Sequence, residues 1–209
     1  MLRIGLTGGL ATGKSTVAGW LRGLGAVVFD ADAIVRDLYA PGGPGMAAAR
    51  RLFGDGVLDA KGGVDRARIA AIVFADPYKR HALEAEIHPL VIAEMNRRFL
   101  EAEKRGAALA VAEASQLFEA GADAILDRVL LVVAPRRERI RRWVEKGGDA
   151  EDAARRIAAQ VSPAVAFDRA SDVVANDGTL EQLRAKVVEI YNGWIGGPKT
   201  EGPRPGGAL

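Results

Sequence analysis

The chain predicts an α/β fold in which a five-stranded parallel sheet is flanked by helices, and three observations lead there. Four short apolar runs stand at 2–6, 26–29, 107–112 and 128–133, with a fifth short strand at 171–175, and those at 107–112 and, after Arg128, 128–133 are continuously apolar, as in strands buried on both faces. Segments of helical period separate the runs, giving connections long enough for right-handed crossovers between parallel strands. Finally, 49% of the residues are hydrophobic but only 6% aromatic, so Ala, Val, Leu and Ile must fill the core, which suits a parallel sheet under helices.

The first strand, Leu2-Arg-Ile-Gly-Leu6, runs straight into Gly8-Gly-Leu-Ala-Thr-Gly13-Lys14-Ser15-Thr16. This fits the pattern of Gly, four residues, Gly, Lys, Ser/Thr, followed by a helix over 15–24 with Val17, Ala18, Trp20, Leu21 and Leu24 apolar. A triphosphate is a dense anion, and small residues let consecutive backbone N–H groups turn toward its oxygens at the positive end of a helix. Gly9, Leu10, Ala11, Thr12, Gly13, Lys14, Ser15 and Thr16 are therefore the candidates for binding ATP. Lys14 would place its charge between the β- and γ-phosphates, and the Ser15 hydroxyl would be a ligand of Mg²⁺. The second strand, 26–29, ends on Asp30-Ala31-Asp32, and open α/β sheets bind their ligands at the carboxyl ends of strands.

From residue 34 to about 104 the character changes. Turns at Pro41-Gly-Gly-Pro44 and Gly54-Asp-Gly56 separate stretches of helical period, notably 66–74 and 78–103, with His88-Pro89 inside the latter. The strand and helix rhythm returns at 107–112 and 128–133. The charged segment 136–160 then reads as two helices joined by Gly147-Gly148-Asp149. A last strand, 171–175, ends at Asn176-Asp-Gly178. The closing helix, 179–191, has Thr179 as its N-cap and Leu180, Leu183, Val187 and Ile190 on one face. The organisation expected is a nucleotide-binding core over 1–34 and 105–195 with a lid at about 136–160, a helical insertion over 35–104, and a disordered Gly/Pro-rich tail over 196–209.

Composition excludes several classes. The 29 basic and 27 acidic residues are interspersed and give a net charge of +2, so no nucleic-acid partner is expected. With no cysteine there can be no disulfide, thiolate metal site or Cys nucleophile. No apolar run approaches the roughly 18 residues of a membrane span, so a cytoplasmic protein without membrane contact is expected. The chain also lacks the Asn-Lys-x-Asp element by which switch GTPases read guanine.

Taken together, these residues resemble the dephospho-coenzyme A kinase family. The family's opening stands at Gly5 to Thr16, its Asp-Ala-Asp at Asp30 to Asp32, and then come Phe53-Gly54, Asp65-Arg66, Leu83-Glu84 and Ile87-His88-Pro89. Leu117-Phe118-Glu119, the Arg-rich helix segment ending in Gln160, and Asp172-Val-Val-Ala-Asn176 complete the order. The resemblance implies transfer of the γ-phosphoryl of ATP to the ribose 3′-hydroxyl of dephospho-coenzyme A, with Mg²⁺ as cofactor, in a monomer or weak homo-oligomer. It implies that Asp32 is the base or orienting carboxylate, that Lys14 and the lid arginine Arg142 are catalytic, and that Asn176 lies at the nucleotide-base pocket. Asp32, Arg66 and His88 are the candidates for the acceptor, which would sit in the helical insertion.

Other readings stand beside these. Asp32 could cap a helix starting at Ala33, Asp30 could be structural or touch Mg²⁺ through water, His88 could be a hydrogen-bonded structural residue, and Arg66 could form a surface salt bridge. Another small-molecule kinase, or a nucleotide-gated binding module, would share the loop. The chain departs from the family pattern at Ser115 and Gln116, where Pro and Leu are usual, and at Lys146, where a second lid arginine falls; the tail has no counterpart.

Overall fold

The computed structural model describes residues 1–196. The tail expected to be disordered falls outside the described residues from 197 on, while Gly196 itself is the last residue of the closing helix. The chain divides into two compact units, one formed by Met1–Phe29 with the residues from Phe99 onward, the other by Asp30–Arg98.

The first unit is built on the sheet. Its strands are β1 (Leu2–Thr7), β2 (Val27–Asp30), β3 (Leu109–Glu113), β4 (Arg128–Val133) and β5 (Asp172–Ala175), in the order β2-β3-β1-β4-β5. The parallel registers place Ile4 beside Val111 on one side and Leu6 beside Leu130 on the other. All four side chains are fully buried. The strand that leads into the phosphate loop is thus central, with both edges hydrogen-bonded, so the loop departs from a rigid base. Helix α1 (Lys14–Gly23) buries Val17, Ala18 and Leu21, at the spacing of one helical face, in a cluster with Leu183, Val187 and Tyr191 of the closing helix α9 (Leu180–Gly196). The Tyr191 hydroxyl donates to the Leu24 carbonyl at 2.7 Å, tying the two helices where α1 ends. Thr179 begins α9 with a reciprocal capping box: its N–H donates to Gln182 Oε1 at 2.9 Å, and the Gln182 N–H donates to its hydroxyl at 3.2 Å.

The segment read as two helices is α6 (Arg136–Glu145) and α7 (Ala150–Ala158), joined through Gly147 and Gly148. Asp149 caps α7 by accepting from the Asp152 N–H at 2.7 Å. A side chain at Gly148 would run into the Trp143 ring, so this glycine lets α6 and its neighbour turn sharply. A further short helix, α8 (Pro163–Arg169), follows with Ser162 as its cap.

The second unit is helical, with α2 (Ala31–Leu38), α3 (Pro44–Phe53), α4 (Arg66–Ala75) and most of α5 (Pro77–Lys104). Helix α2 starts at Ala31 because Asp30 caps it, its Oδ1 accepting from the Asp32 N–H at 2.8 Å. Capping by Asp32 is therefore overturned: strand β2 runs one residue further than the apolar run, and Asp32 lies inside the first turn. Asp65 caps α4 through the N–H groups of Ala67 and Arg68. Helix α5 continues through Pro89, which removes one interior N–H donor from it.

In α5, Glu94 accepts from Arg97 at 2.6 and 2.7 Å and from Arg98 at 2.9 Å. The Arg97 hydrogen bond above all, then those and the charge of Arg98, outweigh the cost of burial and hold its carboxyl at about 2, below the ordinary 4.5. The contribution to stability is complete above about pH 4.5. It is lost as pH falls toward 2, where the unfolded chain takes up the proton first. Glu94→Gln is expected to flatten the fall in melting temperature over that window, as thermal denaturation at stepped pH would measure.

Candidate functional site

In the first unit the phosphate loop is shaped by its own residues before any partner is considered. Gly13 takes φ +103° and is the N-cap of α1, contributing no side chain to the first-turn N–H groups. Those groups are the natural seat of an anion. A side chain at Gly13 would collide with Asn176 Nδ2. Gly13→Ala thus combines a strained backbone with a displaced neighbour and is expected to destabilise by about 1–3 kcal/mol and weaken ATP binding. Thermal melts and nucleotide titration would check both. Thr12, buried, donates its hydroxyl to the Gly9 carbonyl at 3.0 Å and closes the loop on itself.

Lys14 Nζ donates to the Gly8 carbonyl at 2.6 Å and to that of Gly9 at 3.2 Å, which lays the ammonium across the first residues of the loop. Ser15 Oγ donates to Glu113 Oε1 at 2.7 Å. That carboxylate ends β3, the strand beside β1, so the sheet order brings it to the helix behind the loop. At the other end, buried Asn176 donates from Nδ2 to the Thr12 carbonyl at 2.8 Å. Arg142 reaches the same place, one guanidinium nitrogen donating to Asn176 O at 3.1 Å and lying 3.4 Å from its Oδ1. Its other terminal nitrogen is buried with no hydrogen-bond partner among the described residues. Arg139 donates to the Leu10 carbonyl at 2.7 Å and to Gln160 Oε1 at 2.6 Å, and Gln160 also accepts from the Leu10 N–H at 3.2 Å.

A cavity of about 610 Å³ opens beside the loop, lined among others by Gly8, Gly9, Ser115, Phe118, Arg139 and Gln160. Of the altered positions after β3, Ser115 therefore borders the cavity while Gln116 is exposed.

The site thus gathers Gly9 to Thr16, Asn176 and Arg142 in one unit. Asp32, Arg66 and His88 belong to the other, on three separate helices, α2, α4 and α5. Arg66 is exposed and makes no ion pair among the described residues; it is Arg68 that pairs with Asp65, at 3.0 Å. The charge of Arg66 reaches Tyr39, whose hydroxyl is pushed up to about 12 by burial and pulled back by that arginine. His88 is half-buried.

Glu113 and Gln160 join the site although neither is among the sequence candidates, and so does Arg139, one turn before Arg142 on α6. Glu113 needs the strand order to reveal it. Gln160 lies 150 positions from its partner Leu10, and no local pattern links the two.

A central parallel strand, a glycine loop with lysine and hydroxyl behind it, and arginines from a paired-helix segment define a P-loop kinase. The family model for dephospho-CoA kinase matches residues 2–182. A dephospho-CoA kinase of Corynebacterium glutamicum is 44% identical over 191 residues, covering 91% of this chain and 96% of the relative. A crystal structure from Thermus thermophilus superposes with a TM-score of 0.75 at 36% identity, covering 91% of this chain and 97% of the other. The dephospho-CoA kinase of Campylobacter jejuni shares the fold with a TM-score of 0.67 at 22% identity, over 93% and 98% of the two chains. The chain belongs to the dephospho-CoA kinase family.

Proposed function

We infer that this chain is an ATP-dependent kinase that phosphorylates the ribose 3′-hydroxyl of dephospho-CoA, giving CoA. The observation that carries this is the family match across residues 2–182, which brings the acceptor as well as the nucleotide. In the reaction the acceptor oxygen forms a bond to the γ-phosphorus, the bond from that phosphorus to the β,γ-bridging oxygen breaks, and ADP leaves. The hydroxyl proton passes to Asp32, the proposed base, as the new bond forms. Transfer of this kind is mostly positioning and charge neutralisation. Lys14 supplies charge to the β- and γ-phosphates from a position fixed by two loop carbonyls. Gly9 to Thr16 offer the N–H cradle, and Asn176 braces the Thr12 end of it.

Arg142, with a buried guanidinium nitrogen that no described residue accepts from, is proposed to donate to the triphosphate as the lid, about 136–160, closes. Arg66 and His88 are proposed to hold the acceptor in the helical unit. Arg66 fits an anionic group because it is not committed to a carboxylate. Ser115, Phe118 and Glu119 border the cavity beside Gly8 and Gly9, which supports an acceptor delivered there.

Mg²⁺ is part of the proposal. The Ser15 hydroxyl and the Glu113 carboxylate, 2.7 Å apart, are hard oxygen donors of the type the ion prefers. Such an ion takes one or two protein oxygens and completes its shell with phosphate oxygens and water. When bound it would neutralise charge on the β- and γ-oxygens.

Among the described residues no helix is long and apolar enough to cross a membrane. A cytoplasmic monomer or weak homo-oligomer, acting on ATP and dephospho-CoA without nucleic acid, completes the proposal. Coupled measurement of ADP release, with dephospho-CoA set beside nucleoside monophosphates and sugars, tests it. Turnover dependent on dephospho-CoA is expected. Preference for another acceptor, or hydrolysis indifferent to any acceptor, would overturn it.

A further inference from the structure

Helix α6 carries Arg136, Arg137, Arg139, Arg141 and Arg142, and their partners divide them. Arg141 is held by the carboxylates of Glu138 and Glu145, and Arg137 lies 3.8 Å from Glu138. Arg139 makes no ion pair with a carboxylate among the described residues; its hydrogen bonds go to the Leu10 carbonyl and the Gln160 amide. It is also half-buried, and burial followed by the charge of Arg136 makes its protonated form harder to hold. A desolvated cation whose acceptors are all neutral is unstable alone and favours an anion beside it.

Its position says which anion. A methyl group built on Gly9 would strike the Arg139 guanidinium and Gln160 Oε1, while Lys14 Nζ donates to the carbonyls of Gly8 and Gly9. Two cations therefore converge on Gly9 of the loop, whereas Arg142 stands with Asn176 at the Thr12 end. Arg139 and Gln160 border the same cavity as Gly8 and Gly9. Gln160 Oε1 accepts from both Arg139 and the Leu10 N–H, so it fastens the guanidinium to the loop without cancelling its charge.

We propose that Arg139 contacts the transferring γ-phosphoryl group beside Lys14, and that Gln160 is the positioning residue that holds Arg139 there as an unneutralised cation. This rests on the reading that ATP occupies the loop, and it assigns Arg139 and Arg142 of α6 to opposite ends of the phosphate loop.

Gln160→Glu separates charge from bracing, because the carboxylate still accepts from both N–H groups but forms an ion pair with Arg139. The full chain is assayed for kcat, for melting temperature, and, without acceptor, for affinity toward ADP and a non-hydrolysable ATP analogue. The expected result for Gln160→Glu is a melting temperature equal to or above that of the unmodified chain and kcat lower by about 10²-fold. Analogue affinity should fall at least about tenfold while ADP affinity stays within about threefold. Arg139→Gln should show the same kinetic losses. Arg139→Lys, with its charge kept and its planar fork lost, should retain more of kcat than Gln160→Glu. Unchanged kcat and analogue affinity in Gln160→Glu would mean that Gln160 only braces the fold and would overturn the proposal, as would the reverse order of the lysine and glutamate variants. The ratio of analogue to ADP affinity is read without acceptor, so a wrong acceptor would strike the functional reading and leave this one standing.

Discussion

Asp32→Asn is expected to lower kcat by about 10²–10⁴-fold with ATP affinity nearly unchanged. The amide is the same size as the carboxylate, and the α2 cap belongs to Asp30 rather than Asp32, so the helix should survive the change. What disappears is the proton-accepting carboxylate that the proposed function assigns to Asp32. Steady-state kinetics with both substrates varied, together with ATP titration, would test this. A variant with wild-type kcat would remove Asp32 from the reaction. Acceptor-independent hydrolysis that persists in this variant would instead favour a nucleotide-gated switch.

Lys14→Ala is expected to lower kcat/KM for ATP by at least about 10³-fold, and unlike Asp32→Asn it should weaken ATP binding as well. The ammonium is held by the carbonyls of Gly8 and Gly9, so its removal takes away the charge that the proposed function assigns to the phosphates. Lys14 is partly exposed and lies in the first turn of α1, whose core contacts come from Val17, Ala18 and Leu21. The melting temperature should therefore change little. Equal loss of ATP affinity in the two variants would contradict the division of roles between them.

Much of the architecture is legible in the chain because its signals are local. The run at 128–133 coincides with β4, and the Gly/Lys/Ser pattern places the loop and the start of α1 within a residue. Boundaries set by side-chain hydrogen bonds are harder to read: Asp30 and Asp32 are equally good caps by composition, and only the extent of β2 decides between them. Helices α2 and α8, with eight and seven residues, span only about two turns and declare no period. For the site, the loop is readable as a motif, whereas the bracing of Thr12 by Asn176 is not. The Glu113 contact with Ser15 and the Gln160 contact with Leu10 join residues 98 and 150 positions apart, so they exist only once the sheet order is known.

That sheet order also dictates when the loop can take its shape during synthesis. β1 leaves the ribosome before its neighbours β3 and β4, and the side chain that braces Thr12 is that of Asn176. Domains fold as units while the chain emerges at about 5–20 residues per second, and strands whose partners are distant in sequence must wait for them. The phosphate loop is thus made 164 residues before the side chain that braces it. A chain released early, before residue 176, would carry the whole phosphate-binding motif without the neighbours that give it form.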